Sequence, residues 1–202
     1  MEIIVLCIAA VLLAGGGWWI YQRGQTFLQD EVRHQKLAQQ LGVQLAWQSL
    51  REYTIFGTYR GYQIAIQPVI YPVAGMSRLW MGTRILLPMI NPNRRALRIS
   101  RHLVEHRVLE RIAPLDKPLY FSHQIAPWLE ITTNDMMFSS LILSEEIKIT
   151  LYEVFSRLEA GVACIYDEEL CFVMPGLIRH EEAADLCLRA LNLLCDIKDE
   201  LN

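Results

Sequence analysis

Among the 202 residues there is no G-x-S-x-G elbow, no Walker loop and no G-x-G-x-x-G. The nucleophile turn of an α/β-hydrolase and the common phosphate cradles are therefore missing. Lysine is scarce, with 4 against 15 arginines, and the net charge is only −3, so no global field advertises nucleic acid. Five cysteines are too few for a disulfide scaffold. Cys164, Cys171, Cys187 and Cys195 show no C-x-x-C spacing and sit among apolar neighbours, the setting of reduced core thiols. Eight prolines, eleven glycines and the lack of any repeat exclude collagen-like and low-complexity chains. What is present is 52% apolar residues and a mean hydropathy of +0.20, enough to bury the core of one ordinary domain.

The longest uncharged run is Ile3 to Tyr21, IIVLCIAAVLLAGGGWWIY. As a helix it would extend roughly 28 Å, close to the thickness of a bilayer's hydrocarbon core. Gly15, Gly16 and Gly17 would let a neighbouring helix approach, and Trp18 and Trp19 suit the headgroup level. A cleaved signal peptide fits less well, because the segment opens with Met1-Glu2 and the glycines are followed by bulky rings. No basic residue precedes the run, whereas Arg23, Arg33 and Lys36 follow it. The sequence thus predicts a single-pass anchor over residues 1–24 in the cell (inner) membrane, N-terminus outside, with the remaining chain cytoplasmic.

Residues 25–42 read as a helical stalk, with Leu28, Val32, Leu37 and Leu41 at spacings of three and four and Gly42 placed to end it. Residues 43–202 read as one α+β domain of mainly antiparallel strands packed with helices. Tyr62 to Gln67 alternates with a period of two, and Arg60-Gly61 offers the turn of a hairpin over 53–67. Trp80 to Met89 and Arg94 to Arg101 form two strands around Asn91-Pro92-Asn93; Leu103 to Ile112 is a helix; residues 114–127 are a proline-punctuated stretch; Phe138 to Leu143 is a short strand. Ser144 caps a helix that Gly161 closes, Val162–Tyr166 and Leu170–Val173 form a hairpin, and Glu181–Leu201 is the last helix. If Asp167-Glu168 is a two-residue loop, Cys164 and Cys171 face each other; free thiols are expected, and an oxidising compartment would cross-link them.

Charge is unevenly divided. Residues 51–111 hold ten Arg against three Glu, +7, and residues 112–202 hold six basic against sixteen acidic residues, −10. Either the two halves pack together and compensate, or a basic face including Arg94 and Arg98 meets an acidic partner or anionic lipid. The Arg94, Arg95, Arg98, Arg101 cluster lacks the interleaved aromatics of a nucleic-acid stacking platform.

One constellation could carry chemistry. His102-Leu-Val-Glu-His106 resembles the H-x-x-E-H motif of the inverted zinc peptidases. That resemblance implies His102 and His106 as ligands, Glu105 as the base for a bound water, and a downstream glutamate, Glu181 or Glu182, as third ligand. The competing reading is a solvated charged helix, since Val104, Val108 and Ile112 define its apolar face.

Three further motifs, Leu37-x-x-x-Leu41-Gly42, Gly57-x-Tyr59-x-Gly61-x-x-Ile64-x-Ile66 and Thr133-Asn-Asp135-x-x-Phe138, together resemble a loosely defined set of bacterial membrane-anchored α+β proteins. The chain departs from that set at Asn134, where glycine is usual, and at Ser139, where an acid is usual. The resemblance implies a small α+β domain with no assigned activity and no cofactor. The function expected is a membrane-anchored, non-enzymatic interaction domain, an accessory or assembly subunit of a larger membrane complex. Its partners would be membrane-protein subunits held through the anchor and the basic central region, together with the lipid bilayer. The alternative is a membrane-anchored zinc hydrolase.

Overall fold

A computed structural model of the chain describes residues 15, 16, 18, 21, 25, 28–49, 52–72, 79–91, 93–101, 104–115, 118–120 and 125–201. Helix α1 (28–41) buries His34, Leu37, Ala38 and Leu41, the i, i+3, i+4, i+7 stripe of an amphipathic helix. It ends where the sequence places the stop. Gly42 takes φ +67°, and the Gly42 and Val43 amides donate to the Gln39 and Ala38 carbonyls, a Schellman closure. Because one face of α1 lies in the core, this stretch is part of the domain rather than a free stalk.

Among the described residues, no helix is long and apolar enough to cross a membrane. This corrects the expected transmembrane helix over residues 1–24, and with it the single-pass placement in a cell membrane. Most of the expected run, including residues 1–14, lies outside the described residues, and α1, the described helix after it, carries Asp30, Glu31, Arg33 and Lys36. Of the residues singled out in the run, Gly15, Gly16, Trp18 and Tyr21 are helical and exposed; Gly17 and Trp19 lie outside the described residues.

Four strands follow as a meander: β1 (Gln44–Trp47), β2 (Tyr53–Tyr59), β3 (Tyr62–Pro72) and β4 (Leu79–Pro88). The β2–β3 turn is Arg60-Gly61, with φ of +50° and +85°, the left-handed pair that a tight hairpin demands. Next come β5 (Leu97–Arg101), α2 (His106–Ile112), β6 (Leu119–Tyr120), β7 (Leu129–Thr133), α3 (Met136–Ile142), α4 (Glu145–Ser156), β8 (Val162–Tyr166), β9 (Glu169–Pro175) and α5 (Glu181–Asp199). All described pairings are antiparallel, in a nine-stranded sheet ordered β1-β2-β3-β4-β9-β8-β5-β7-β6. The expectation of mainly antiparallel strands packed with helices therefore holds for the domain. The β4 and β5 strands, expected on either side of the Asn91-Pro92-Asn93 turn, are not neighbours. The β8–β9 hairpin inserts between them.

The sheet has two unequal faces. One carries α1, α3, α4 and α5 over the main core, which includes Ile55, Ile66, Ile85, Ile99, Ile131 and Phe172; each such side chain contributes about 1.5–3 kcal/mol by leaving water. The other carries α2 over a smaller cluster of Val108, Leu109, Ile112, Val162, Cys164, Cys171 and Val173. Phe138 to Leu143 is helix rather than strand. Asp135 caps it by accepting from the Phe138 amide at 3.0 Å, and a cap overrides a short apolar run.

Candidate functional site

The zinc reading is tested first by helix geometry. Helix α2 begins at His106, and Glu105 is its N-cap in extended conformation (φ −60°, ψ 133°). The described helix is thus shorter than the one expected from Leu103, since Val104 and Glu105 are not helical. His102 itself lies outside the described residues. The His106 side chain is 75% exposed, with Nε2 3.7 Å from Glu110. Glu182 lies in the first turn of α5, on the opposite face of the sheet from α2. Sequence spacing does not bring His106, Glu105 and Glu182 together. Among the described residues, no group of three or more His, Cys, Asp or Glu could hold a metal ion.

The charge imbalance resolves into pairs across the two halves. Arg60 binds Asp196 at 2.6 Å and Asp199 at 2.9 Å, Arg84 binds Glu169, and Arg95 binds Asp135 at 3.3 Å. Arg98, expected on a contact surface, is 2% exposed. Its Nη1 donates to Glu110 (3.1 Å) and to the Ala113 carbonyl (3.0 Å), and its Nε to Thr132 (3.2 Å). The alternation Leu97-Arg98-Ile99-Ser100 correctly separates two faces of β5. The polar face is not solvent, because α2 lies on it, and Arg98 fastens α2 to the sheet. Arg94 is exposed at the turn before β5 and adopts φ +48°.

The surface best suited to a partner lies beside Arg94, at the β6 edge. Strand β6 ends the sheet and pairs only with β7 among the described strands, leaving an open row of backbone donors and acceptors. Leu119 and Tyr120 are 47% and 66% exposed, and on α3 Met137 and Leu141, one helical turn apart, are 86% and 63% exposed. An open depression of about 650 Å³ is lined by the apolar Leu119, Met136 and Met137 and by the polar Asn93, Arg95, Asn134 and Asp135. Asn134 holds the floor in place by accepting from the Ala96 amide at 2.6 Å and donating to the Arg94 carbonyl at 2.9 Å. Methionine, aromatic and arginine side chains are the types enriched where proteins meet. The sequence reading missed this site. Its signal was Asn134-Asp135 followed at once by two methionines, a cap whose first helical residues are apolar and so have no reason to face water.

A second exposed apolar set, Ile70, Leu79 and Met81, lies on the outer half of the β3–β4 hairpin. The hydroxyl of Tyr53 and both ring nitrogens of His34 are buried without hydrogen-bond partners. The two rings stack at 3.8 Å, and burial pulls His34 down to about 4.

No family model matches the chain, and no curated protein matches it. Among solved structures it is similar in fold to the mycobacterial trehalose monomycolate transport factor A, TtfA, with a TM-score of 0.56 at 10% identity, over 84% of this chain and 93% of that one. That protein is named as a transport factor, not as an enzyme, and the likeness is one of fold.

Proposed function

We propose that the chain is a non-enzymatic interaction domain, an accessory subunit that takes an extended segment of a partner protein along the β6 edge. The observation that carries this reading is the pairing of an open strand edge with Met137, 86% exposed, and Leu119 beside it. An added strand would satisfy the backbone of β6. Apolar side chains of the segment would enter the depression between Leu119 and Met137, and a carboxylate would meet Arg94. A non-catalytic role is compatible with the transport-factor name of the structural neighbour. This role does not call on a transmembrane anchor.

The test is peptide selection. A displayed library of extended peptides is panned on the folded domain, then on Leu119→Asp/Met137→Asp. Peptides with alternating apolar residues and at least one carboxylate should be enriched on the first and lost on the second. Because both residues are exposed, the double variant should unfold within about 0.5 kcal/mol of the parent. Peptides that bind both proteins equally would refute the site.

A further inference from the structure

The β8–β9 hairpin sets Cys164 directly opposite Cys171, with 2.8 Å between the sulfurs. Both lie in the smaller cluster under α2, beside Val162 and Val173. Directly opposed strand residues have Cα atoms about 4.5–5.5 Å apart, inside the range of about 4.4–6.8 Å that a disulfide accepts. No backbone has to move for the two sulfurs to join.

The two thiols are not equivalent. On β4, Arg84 pairs with Val173, two residues along the same face of β9 from Cys171 and one strand closer to it than to Cys164; Arg84 binds Glu169 through Nη2, while its buried Nε has no hydrogen-bond partner. The hydrogen bond from Cys164, and then the Arg84 charge, hold the Cys171 thiol below its ordinary value. The same bond, together with burial, pushes Cys164 up. Elsewhere burial pushes Cys187 up to about 12 and Cys195 up to about 11, so those thiols stay protonated and inert.

We propose that Cys164 and Cys171 form a peroxide-reactive dithiol, a reversible modification site in which Cys171 attacks and Cys164 resolves. The Cys171 thiolate attacks one oxygen of hydrogen peroxide; the S–O bond forms, the O–O bond breaks, and the leaving hydroxide takes up the proton that Cys171 gave up on ionising, as water. Cys164 then attacks the Cys171 sulfenic sulfur; the S–S bond forms, the S–O bond breaks, and the departing hydroxide takes the Cys164 proton as water. The dithiol loses two electrons and the peroxide gains them, giving two waters. An added dithiol reverses the step by exchange. Cys164 and Cys171 are 3% and 1% exposed, which selects a small neutral oxidant over a bulky disulfide.

The full-length chain is treated with hydrogen peroxide and followed by intact mass and peptide mapping. The expected product has lost two hydrogens, carries a 164–171 link and is restored by dithiothreitol. Glutathione disulfide should give no product. Cys164→Ser should stop at a sulfenic acid, trapped when the oxidised protein is unfolded in the presence of dimedone, and Cys171→Ser should give neither link nor trapped adduct. Arg84→Met should slow the reaction severalfold, because the charge that favours the Cys171 thiolate is gone, with Arg84→Lys recovering most of the rate. Thermal midpoints establish that each variant is folded. The proposal is overturned if folded protein forms no 164–171 link, if Cys187 or Cys195 consumes the peroxide, or if the two serine variants trap dimedone equally.

Discussion

Replacing Arg98 by methionine keeps the apolar stem of the side chain and removes every polar contact it makes, so the cost can be worked from its partners. The Ala113 carbonyl, at the C-cap of α2, loses its 3.0 Å donor; an orphaned buried acceptor costs about 1–3 kcal/mol. Thr132 loses the Nε contact but still donates to the Arg98 carbonyl at 3.4 Å, so about 0.5–1 kcal/mol is lost there. Glu110 is 37% exposed and remains partly hydrated without its partner, for at most about 1 kcal/mol. The sum is about 3 kcal/mol, or a thermal midpoint lower by about 6–12 °C in a domain of this size. Urea denaturation followed by the fluorescence of Trp47, Trp80 and Trp128 measures it, with Arg94→Met as the exposed control expected within about 0.5 kcal/mol. Arg98→Lys should recover less than half, because an ammonium lacks the fork that reaches three acceptors. A loss below about 1 kcal/mol for Arg98→Met would refute the account, and with it the view that this arginine fastens α2.

Gly57 adopts φ +153°, and a Cβ there would lie 2.9 Å from the Val43 side chain; Gly57→Ala should cost about 1–3 kcal/mol by chemical denaturation. Asp135→Ala removes the α3 cap and the Arg95 contact and should lower stability by about 1 kcal/mol, leaving the β2–β3 hairpin shifts unchanged by NMR. His34 has an ordinary value of 6.5 that burial lowers to about 4. Below pH 6.5 the unfolded chain binds a proton that the folded chain refuses, so the stability from neutral His34 is complete above pH 6.5. It drains away as the pH falls toward 4, at up to about 1.4 kcal/mol per unit. His34→Phe should flatten urea midpoints across that window; a slope that survives it would assign the effect to other groups.

Local signals were legible wherever chain neighbours decide the outcome. The i, i+3, i+4, i+7 stripe and Gly42 placed and ended α1, Arg60-Gly61 fixed the β2–β3 turn, and Ser144 before two glutamates marked the start of α4. Failures came where distant segments decide. A polar residue on an alternating strand looks solvent-facing until a helix from elsewhere covers it, which is why Arg98 was misplaced on a surface. Strands separated by one turn look like partners until a later hairpin separates them, as with β4 and β5. The β6 edge was invisible because a two-residue strand has no period, and its depression exists only once α3 is recognised as a helix.

The position of β8 and β9 has a consequence for synthesis. Gly82 pairs with Pro175, 93 positions later, and Leu97 pairs with Ile165, 68 positions later. Until that hairpin leaves the ribosome, the meander β1–β4 and the β5-β7-β6 group are two separate half-sheets, each with an unfilled interior edge. Such edges invite pairing with other nascent chains. The sheet therefore closes from its centre and last of all, and a chain halted before residue 162 would be a hazard to its neighbours rather than a smaller version of the domain.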